Sequence, residues 1–348
     1  MDPSGLSCPS PLTASGRILL GHGSGGRLSA ELIREFFLAR FGNPYLDRLD
    51  DQAVVEIGGQ RLALTTDSFV VRPLFFPGGD IGRLAVNGTV NDLAMAGARP
   101  LFLAAGFILE EGLALDDLAA ILDSMRDACR DTGVLLVTGD TKVVDKGSGD
   151  QCFINTTGVG LVAHARYLSA NQARPGDLVV LSGPIGDHGM AVMSRRAGIA
   201  FETEIESDTA PLHDLVGSML ETGAELRCLR DPTRGGLAAT LNELALAAGV
   251  GIEIDEAKIP VRPSVQAACE LLGLDPLYVA NEGKLVAIVR AADAPALVDA
   301  MQRHARGRES TVVGAVTDEH PRMVVMRTAI GGMRIVDLHP GEILPRIC

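Results

Sequence analysis

Short apolar runs and longer helical repeats take turns along this chain, and their order predicts its elements. Residues 53–57 and 62–66 read as paired strands around Gly58-Gly59. Residues 80–97 (DIGRLAVNGTVNDLAMAG) are apolar on most sides, which predicts a helix buried almost all round. A strand over 101–109, an amphipathic helix near 115–132 and a strand over 134–138 follow. That strand leads into a loop, TGDTKVVDKGSGDQ, ahead of another strand at 153–163. The polar run 171–177 (NQARPGD) carries a Pro-Gly turn and marks the boundary between two halves. Beyond it a strand at 178–182 opens helix-rich sequence to about residue 248. Strands and helices then alternate over 251–255, 262–273, 285–290, 294–304, 311–318, 322–327 and 332–336. The final HPGEILPRIC holds two prolines and no periodicity, as an extended tail does. The expected layout is a disordered tail over 1–17, an N-terminal domain over 18–170, a C-terminal domain over 171–337 and a flexible tail over 338–348.

Composition narrows the class. The chain has 348 residues, 47% hydrophobic and only 4% aromatic, with no Trp and 40 Gly. A core of Ala, Val, Leu and Ile with many tight turns suits an α/β or α+β enzyme, and the length is comfortable for two domains. The net charge of −13 repels phosphate backbones and anionic membranes, which argues against a nucleic-acid or membrane partner. No stretch approaches a membrane-spanning helix, and residues 1–16 lack the basic start and apolar run of a signal peptide. Cys8, Cys129, Cys152, Cys228, Cys269 and Cys348 are scattered without a CxxC pair, which fits a reducing cytoplasm better than a disulfide framework or a zinc site.

Several segments carry candidate chemistry. GHGSGGR (21–27) precedes an amphipathic helix, so Gly23, Gly25 and Gly26 could offer backbone N–H groups to an anion; it has no Walker A spacing, and an ordinary flexible turn is the alternative. Asp51, Asp67, Asp92 and Asp140 stand at the ends of apolar strands or inside the buried helix. Two bare carboxylates about 4 Å apart repel by roughly 4 kcal/mol at an effective dielectric near 20, so a converging set needs a cation, and oxygen ligands beside phosphates suggest Mg²⁺. Solvated loop acids and helix caps are the alternative. Thr141 and Lys142 follow Asp140, with Asn155 on the next strand; a lysine there could meet a transferring phosphate, or simply be a surface lysine. In DPTRGG (231–236) Arg234 projects beside a helix start as a second anion grip or a plain cap. Glu282, in NEG, could act as a base, hold a cation, or sit as a turn acid. An isolated terminal cysteine is usually inert, but Pro345 stiffens the approach to Cys348, and Arg346, two residues away, would favour its thiolate.

The segments VNGTVNDLAMAGARP (86–100), TGDTKVV (138–144), INTTGVG (154–160), DPTRGGLA (231–238) and NEGK (281–284), with the terminal PRIC, resemble the HypE family of hydrogenase maturation factors. That family belongs with the aminoimidazole ribonucleotide (AIR) and selenophosphate synthetases. The resemblance runs from about residue 18 to residue 348. It implies a PurM-like two-domain fold whose N-terminal strands join a second copy's in a dimeric β-barrel, with a C-terminal α+β domain closing over ATP. It also implies a carbamoyl dehydratase: the carbamoyltransferase HypF loads a carboxamide onto Cys348, ATP and Mg²⁺ drive its dehydration to a thiocyanate, and the cyanide passes to iron on HypC–HypD. On that resemblance Asp51, Asp67, Asp92 and Asp140 hold the metal, and Gly23, Gly25, Gly26, Asp67, Asn91, Asp92, Thr141, Lys142, Asn155 and Arg234 hold the nucleotide. Cys348, Lys142 and Glu282 carry the chemistry. A selenophosphate-synthetase-like enzyme is the nearest alternative, but its reactive residue near the glycine-rich loop has no counterpart here. A nucleotide-dependent scaffold with a docking tail is another.

Overall fold

A computed structural model describes residues 16–198, 204–339 and 346–348; the tail expected over 1–17 lies almost wholly outside the described residues, as does most of 338–348. Past the glycine-rich segment, helix α1 (Arg27–Leu32) runs through a π-helical turn (Ile33–Leu38) into α2 (Ala39–Phe41). Strands β1 (Ala53–Ile57) and β2 (Gln60–Phe69) pair antiparallel, closed by Gly58 and Gly59, both at positive φ as a tight hairpin requires. The short strands β3 (Phe75–Phe76) and β4 (Gly79–Asp80) lead into α3 (Ile81–Met95). The Asp80 carboxylate caps α3 by accepting from the N–H groups of Gly82 and Arg83 at 2.7 and 3.2 Å. As its pattern predicts, α3 is buried along nearly its whole length. Next come β5 (Arg99–Glu110), α4 (Leu115–Thr132), β6 (Leu135–Val144) and β7 (Cys152–Leu161). The described strands of this half form one sheet in the order β1-β2-β7-β5-β6, antiparallel except for the β5–β6 pair that α4 connects. Helix α3 packs on one face through Ala63, Thr65 and Phe69 of β2 and Ile154 and Thr156 of β7. On the opposite face Thr66, Ser68, Phe102, Ile108 and Asn155 are open.

The second half contributes β8 (Leu178–Leu181), α5 (Asp187–Ala197), α6 (His213–Glu221), β9 (Leu226–Arg230), α7 (Gly236–Ala248), β10 (Gly251–Asp255), α8 (Pro263–Leu272), β11 (Val286–Val289), α9 (Ala294–Arg303), β12 (Thr311–Thr317), β13 (Val324–Arg327) and β14 (Met333–Val336). Its sheet runs β14-β13-β10-β12-β8-β11-β9. One core cluster sets α7 against this sheet; another sets α6 and α9 against it and takes in Ala94 and Met95 of α3. A third joins the first sheet to α5 and α8. Helix α3 is therefore shared between the halves, and whatever it carries on its inner side faces both. Among the described residues no helix is long and apolar enough to cross a membrane.

Three expectations need correction. β2 continues to Phe69 and β6 to Val144, so Asp67 and Asp140 lie within strands rather than after them, and all of GDTKVV is strand rather than loop. Pairing with β7 and β5 extends both strands, and the open face accepts the polar side chains. Residues 226–230, placed in helix-rich sequence, form β9; paired with β11 and buried on both sides, it shows no alternation to detect.

Candidate active site

Where the halves meet, a cleft of about 830 Å³ opens, a size that suits a small-molecule ligand. One wall is the glycine-rich segment: Gly23, Gly25 and Gly26 line it together with Arg234. Gly25 has φ +78°, and a Cβ there would stand 2.6 Å from the Arg234 carbonyl oxygen, so only glycine lets the two segments close on each other. The floor is acidic. Asp51, Asp67, Asp92 and Asp231 all line the cleft. The Thr65 hydroxyl lies 2.7 Å from Asp92 Oδ2 and 3.0 Å from the Asp51 carbonyl oxygen, which ties α3 to the start of β1. Arg230, at the end of β9, reaches Asp51 Oδ1 and Glu243 Oε2, each at 2.8 Å, and pins the second half to the first.

Burial pushes the Asp51 and Asp92 carboxyls well above their ordinary range; nearby acids add to this, and Arg230 opposes it at Asp51. Asp231 is pushed up to about 6, again by burial against the pull of Arg230. Asp51 Oδ2 is buried without a hydrogen-bond partner. Among the described residues no three histidines, cysteines or acids form a ready-made metal site. That donor set suits Mg²⁺, which takes one or two carboxylates and completes its shell with water and phosphate oxygens.

The chain's last residues lie near the cleft: Ile347 lines a small neighbouring cavity together with Gly25, Gly26 and Arg234 of the cleft wall. The N–H groups of Val70 and Arg72 donate to the Cys348 and Arg346 carbonyls at 2.8 and 3.3 Å, so residues 346–348 run antiparallel beside the segment after β2. Ile347 is buried. Cys348 is partly buried within the electrostatic reach of Arg234, Glu282, Asp67 and Asp231. Burial raises its thiol pKa, more than Arg234 lowers it. The sequence expectation that Arg346 favours the thiolate is overturned: Arg346 pairs with Asp150, which Arg72 also faces at 3.6 Å. Glu282 is buried, Oε1 has no hydrogen-bond partner, and burial followed by Asp231, Asp208 and Asp67 raises its carboxyl well above the usual range.

The remaining candidates separate. Asn91 donates its amide hydrogens to the Ala210 and Glu282 carbonyls at 3.1 and 3.2 Å, and Leu212 N–H donates to its Oδ1 at 2.8 Å. It holds Glu282 in place and directs no donor into the cleft. Asn155 donates to the Asp67 carbonyl at 2.8 Å from the open face of the sheet. Asp140, Thr141 and Lys142 lie on exposed β6 outside the cleft lining, and Lys142 pairs with Asp140 at 2.6 Å. The four expected metal acids are thus not one group within this chain. Asp231 was missed because an acid after an unrecognised strand reads as part of a turn.

Comparison with known proteins agrees with this architecture. Residues 49–162 match the family described as AIR synthase related protein, N-terminal domain, and 174–326 match its C-terminal domain. Carbamoyl dehydratase HypE of Cupriavidus necator is 58% identical over 335 residues, covering 96% of this chain and 95% of that protein. The crystal structure of a HypE–HypF complex superposes with a TM-score of 0.84 at 49% identity, covering 88% of this chain and 99% of the other. A hydrogenase maturation protein HypE in complex with ATP gives a TM-score of 0.81 at 47% identity, over 95% and 100%. With an AIR synthase related domain in each half and such identity along nearly its whole length, the chain belongs to the carbamoyl dehydratase HypE family of hydrogenase maturation enzymes.

Proposed function

We propose that this chain uses ATP to dehydrate an S-carboxamide on Cys348 to a thiocyanate, the source of cyanide for a [NiFe] hydrogenase iron. The observation that carries the reading is the position of Cys348: within the electrostatic reach of Glu282 and of Arg234, Asp67 and Asp231, three residues that line the glycine- and aspartate-walled cleft. A HypE solved with ATP supports the nucleotide, and a HypE solved with HypF supports HypF as the loading partner. HypC–HypD is the acceptor in this reading, and the cytoplasm the site.

Gly23, Gly25, Gly26 and Arg234 receive the phosphates. From Asp51, Asp67 and Asp92 one or two carboxylates would hold each Mg²⁺, which when bound would neutralise charge on the phosphoryl group. The carboxamide oxygen attacks the γ-phosphoryl and ADP leaves; the C–O bond then breaks, phosphate departs with that oxygen and one N–H proton, and the nitrogen gives up its other proton as the C≡N bond forms. Glu282 takes an N–H proton. The exposed β6 edge, with Leu135 and Val143 63% and 69% exposed, suits pairing with a second copy, as a homodimer requires. In such a dimer Asp140, Thr141, Lys142 and Asn155 face the shared interior.

Two measurements test this. Heavy oxygen placed in the carboxamide should appear in inorganic phosphate, one atom per turnover, while the protein loses the mass of water from its C-terminal peptide. Unlabelled phosphate beside a formed thiocyanate would mean that ATP drives a conformational change instead. Gly25→Ala should weaken ATP at least about ten-fold by titration calorimetry, because the side chain adds about 1–2 kcal/mol of left-handed strain and meets the Arg234 carbonyl. Wild-type affinity in that variant would remove the glycine segment from the nucleotide site.

A further inference from the structure

Cys348 must return to the same place each time it is loaded, and its own sulfur changes chemistry along the way. The contacts that hold the docked residues avoid the sulfur. His188, buried near the start of α5, lies with Nε2 2.7 Å from the Ile347 carbonyl oxygen and Nδ1 2.8 Å from Ser207 Oγ. A carbonyl only accepts, so Nε2 carries the proton and donates; Nδ1 is left to accept from the Ser207 hydroxyl. The tautomer is thereby fixed, and the Phe76 ring, edge-on at 5.4 Å and 87°, fixes the plane. Arg196 donates to the Arg346 carbonyl at 2.6 Å.

Ser207 is also the neighbour of Asp208. The Asp208 carboxylate accepts from Glu282 N–H at 3.1 Å and from Lys284 Nζ at 2.9 Å, a buried pair. Ser207 N–H is itself held by the Pro77 carbonyl at 2.8 Å. Two adjacent residues thus hold the tail on one side, through His188, and the backbone of Glu282 on the other.

We propose that His188 is a positioning residue that seats the chain's terminal residues by the Ile347 carbonyl and, through Ser207–Asp208, registers Cys348 against Glu282. It rests on the dehydratase reading for its purpose, because only there must the sulfur and Glu282 meet. Gripping the backbone lets the seat serve the thiol, the carboxamide and the thiocyanate alike.

The test uses the full chain without nucleotide or carbamoyl donor, so its failure leaves the dehydratase reading standing. N-ethylmaleimide labelling of Cys348 is followed by mass of the C-terminal peptide, with partly buried Cys129 as the internal reference. Wild type should label far more slowly than a free cysteine peptide. His188→Leu should speed Cys348 labelling about ten-fold, the ratio one buried hydrogen bond supports, with Cys129 unchanged. His188→Gln, which keeps an amide donor near Nε2, should restore most of the protection. Should His188→Leu fail to fold, Ser207→Ala removes only the hydroxyl that orients the ring and must also speed Cys348 alone. Fast labelling of wild type overturns the proposal. So do wild-type protection in a folded His188→Leu or Ser207→Ala, and parallel acceleration at Cys129.

Discussion

Cys348→Ser should abolish thiocyanate formation outright while leaving nucleotide binding near wild type. The two parts of this expectation come from different places in the molecule. Arg234 and the glycine segment form the wall proposed to take the phosphates, and they do not depend on the sulfur for their positions. The backbone contacts of the last residues, from Val70 and Arg72, also survive the exchange of one atom. What disappears is the sulfur that accepts the carboxamide. A hydroxyl with an alcohol's pKa is a far weaker nucleophile than a thiol, so loading fails before any dehydration begins. Intact mass after incubation with carbamoyl phosphate, HypF and ATP reads both steps: wild type gains the carboxamide and then loses water, and the variant does neither. A serine variant that still matures hydrogenase would make the tail a docking peptide on a nucleotide-dependent scaffold.

Glu282→Gln should slow dehydration of a preloaded protein by about 10²–10⁴-fold, the usual worth of a positioned general base. The fold should tolerate it, because Asn91 and Asp208 hold residue 282 by its carbonyl and N–H rather than by its carboxylate. The pH dependence has a definite sign. Burial and neighbouring acids raise the Glu282 carboxyl, so its proton leaves only at a pH above the usual glutamate range. A base must be deprotonated to act, so the wild-type rate should rise with pH, with a midpoint displaced upward from about 4.3. Glutamine should remove that limb. Single-turnover rates across pH measure both effects, and a variant within about three-fold of wild type that keeps the limb would assign the proton transfer elsewhere.

How much of this was legible in the sequence varied with the kind of signal. Helix α3 could be read residue by residue, because a helix buried on all sides leaves a long apolar run, and Asp92 stood out within it. The glycine segment and Arg234 could be picked out as candidates for one site, although their mutual contact could not. Strand β9 left no period, and Asp231 was lost with it. Alternation in β2 and β6 could have shown that Asp67 points toward α3 and Asp140 away from it, but only once both strands were known to extend past their apolar parts. Arg346 was misjudged because spacing along an extended chain says nothing of a partner such as Asp150. His188, Ser207 and Asp208 are distant from Ile347 in sequence and unremarkable singly; only the fold makes them one device.

Asp51, Asp92, Asp231 and Glu282 share one property: burial leads each to keep its proton to higher pH in the folded chain than in the unfolded one. Without a cation these acids favour the folded state most at low pH, and that contribution declines as pH climbs from about 4 toward the raised values, Asp231's near 6. A divalent ion entering the cleft must displace those protons to reach the carboxylates it binds. Its apparent affinity should therefore climb with pH, and the heat of its binding should vary with the ionisation enthalpy of the buffer that takes the protons up. If it binds such an ion, the cleft would act as a proton store as well, discharged when the cation arrives and recharged when it leaves.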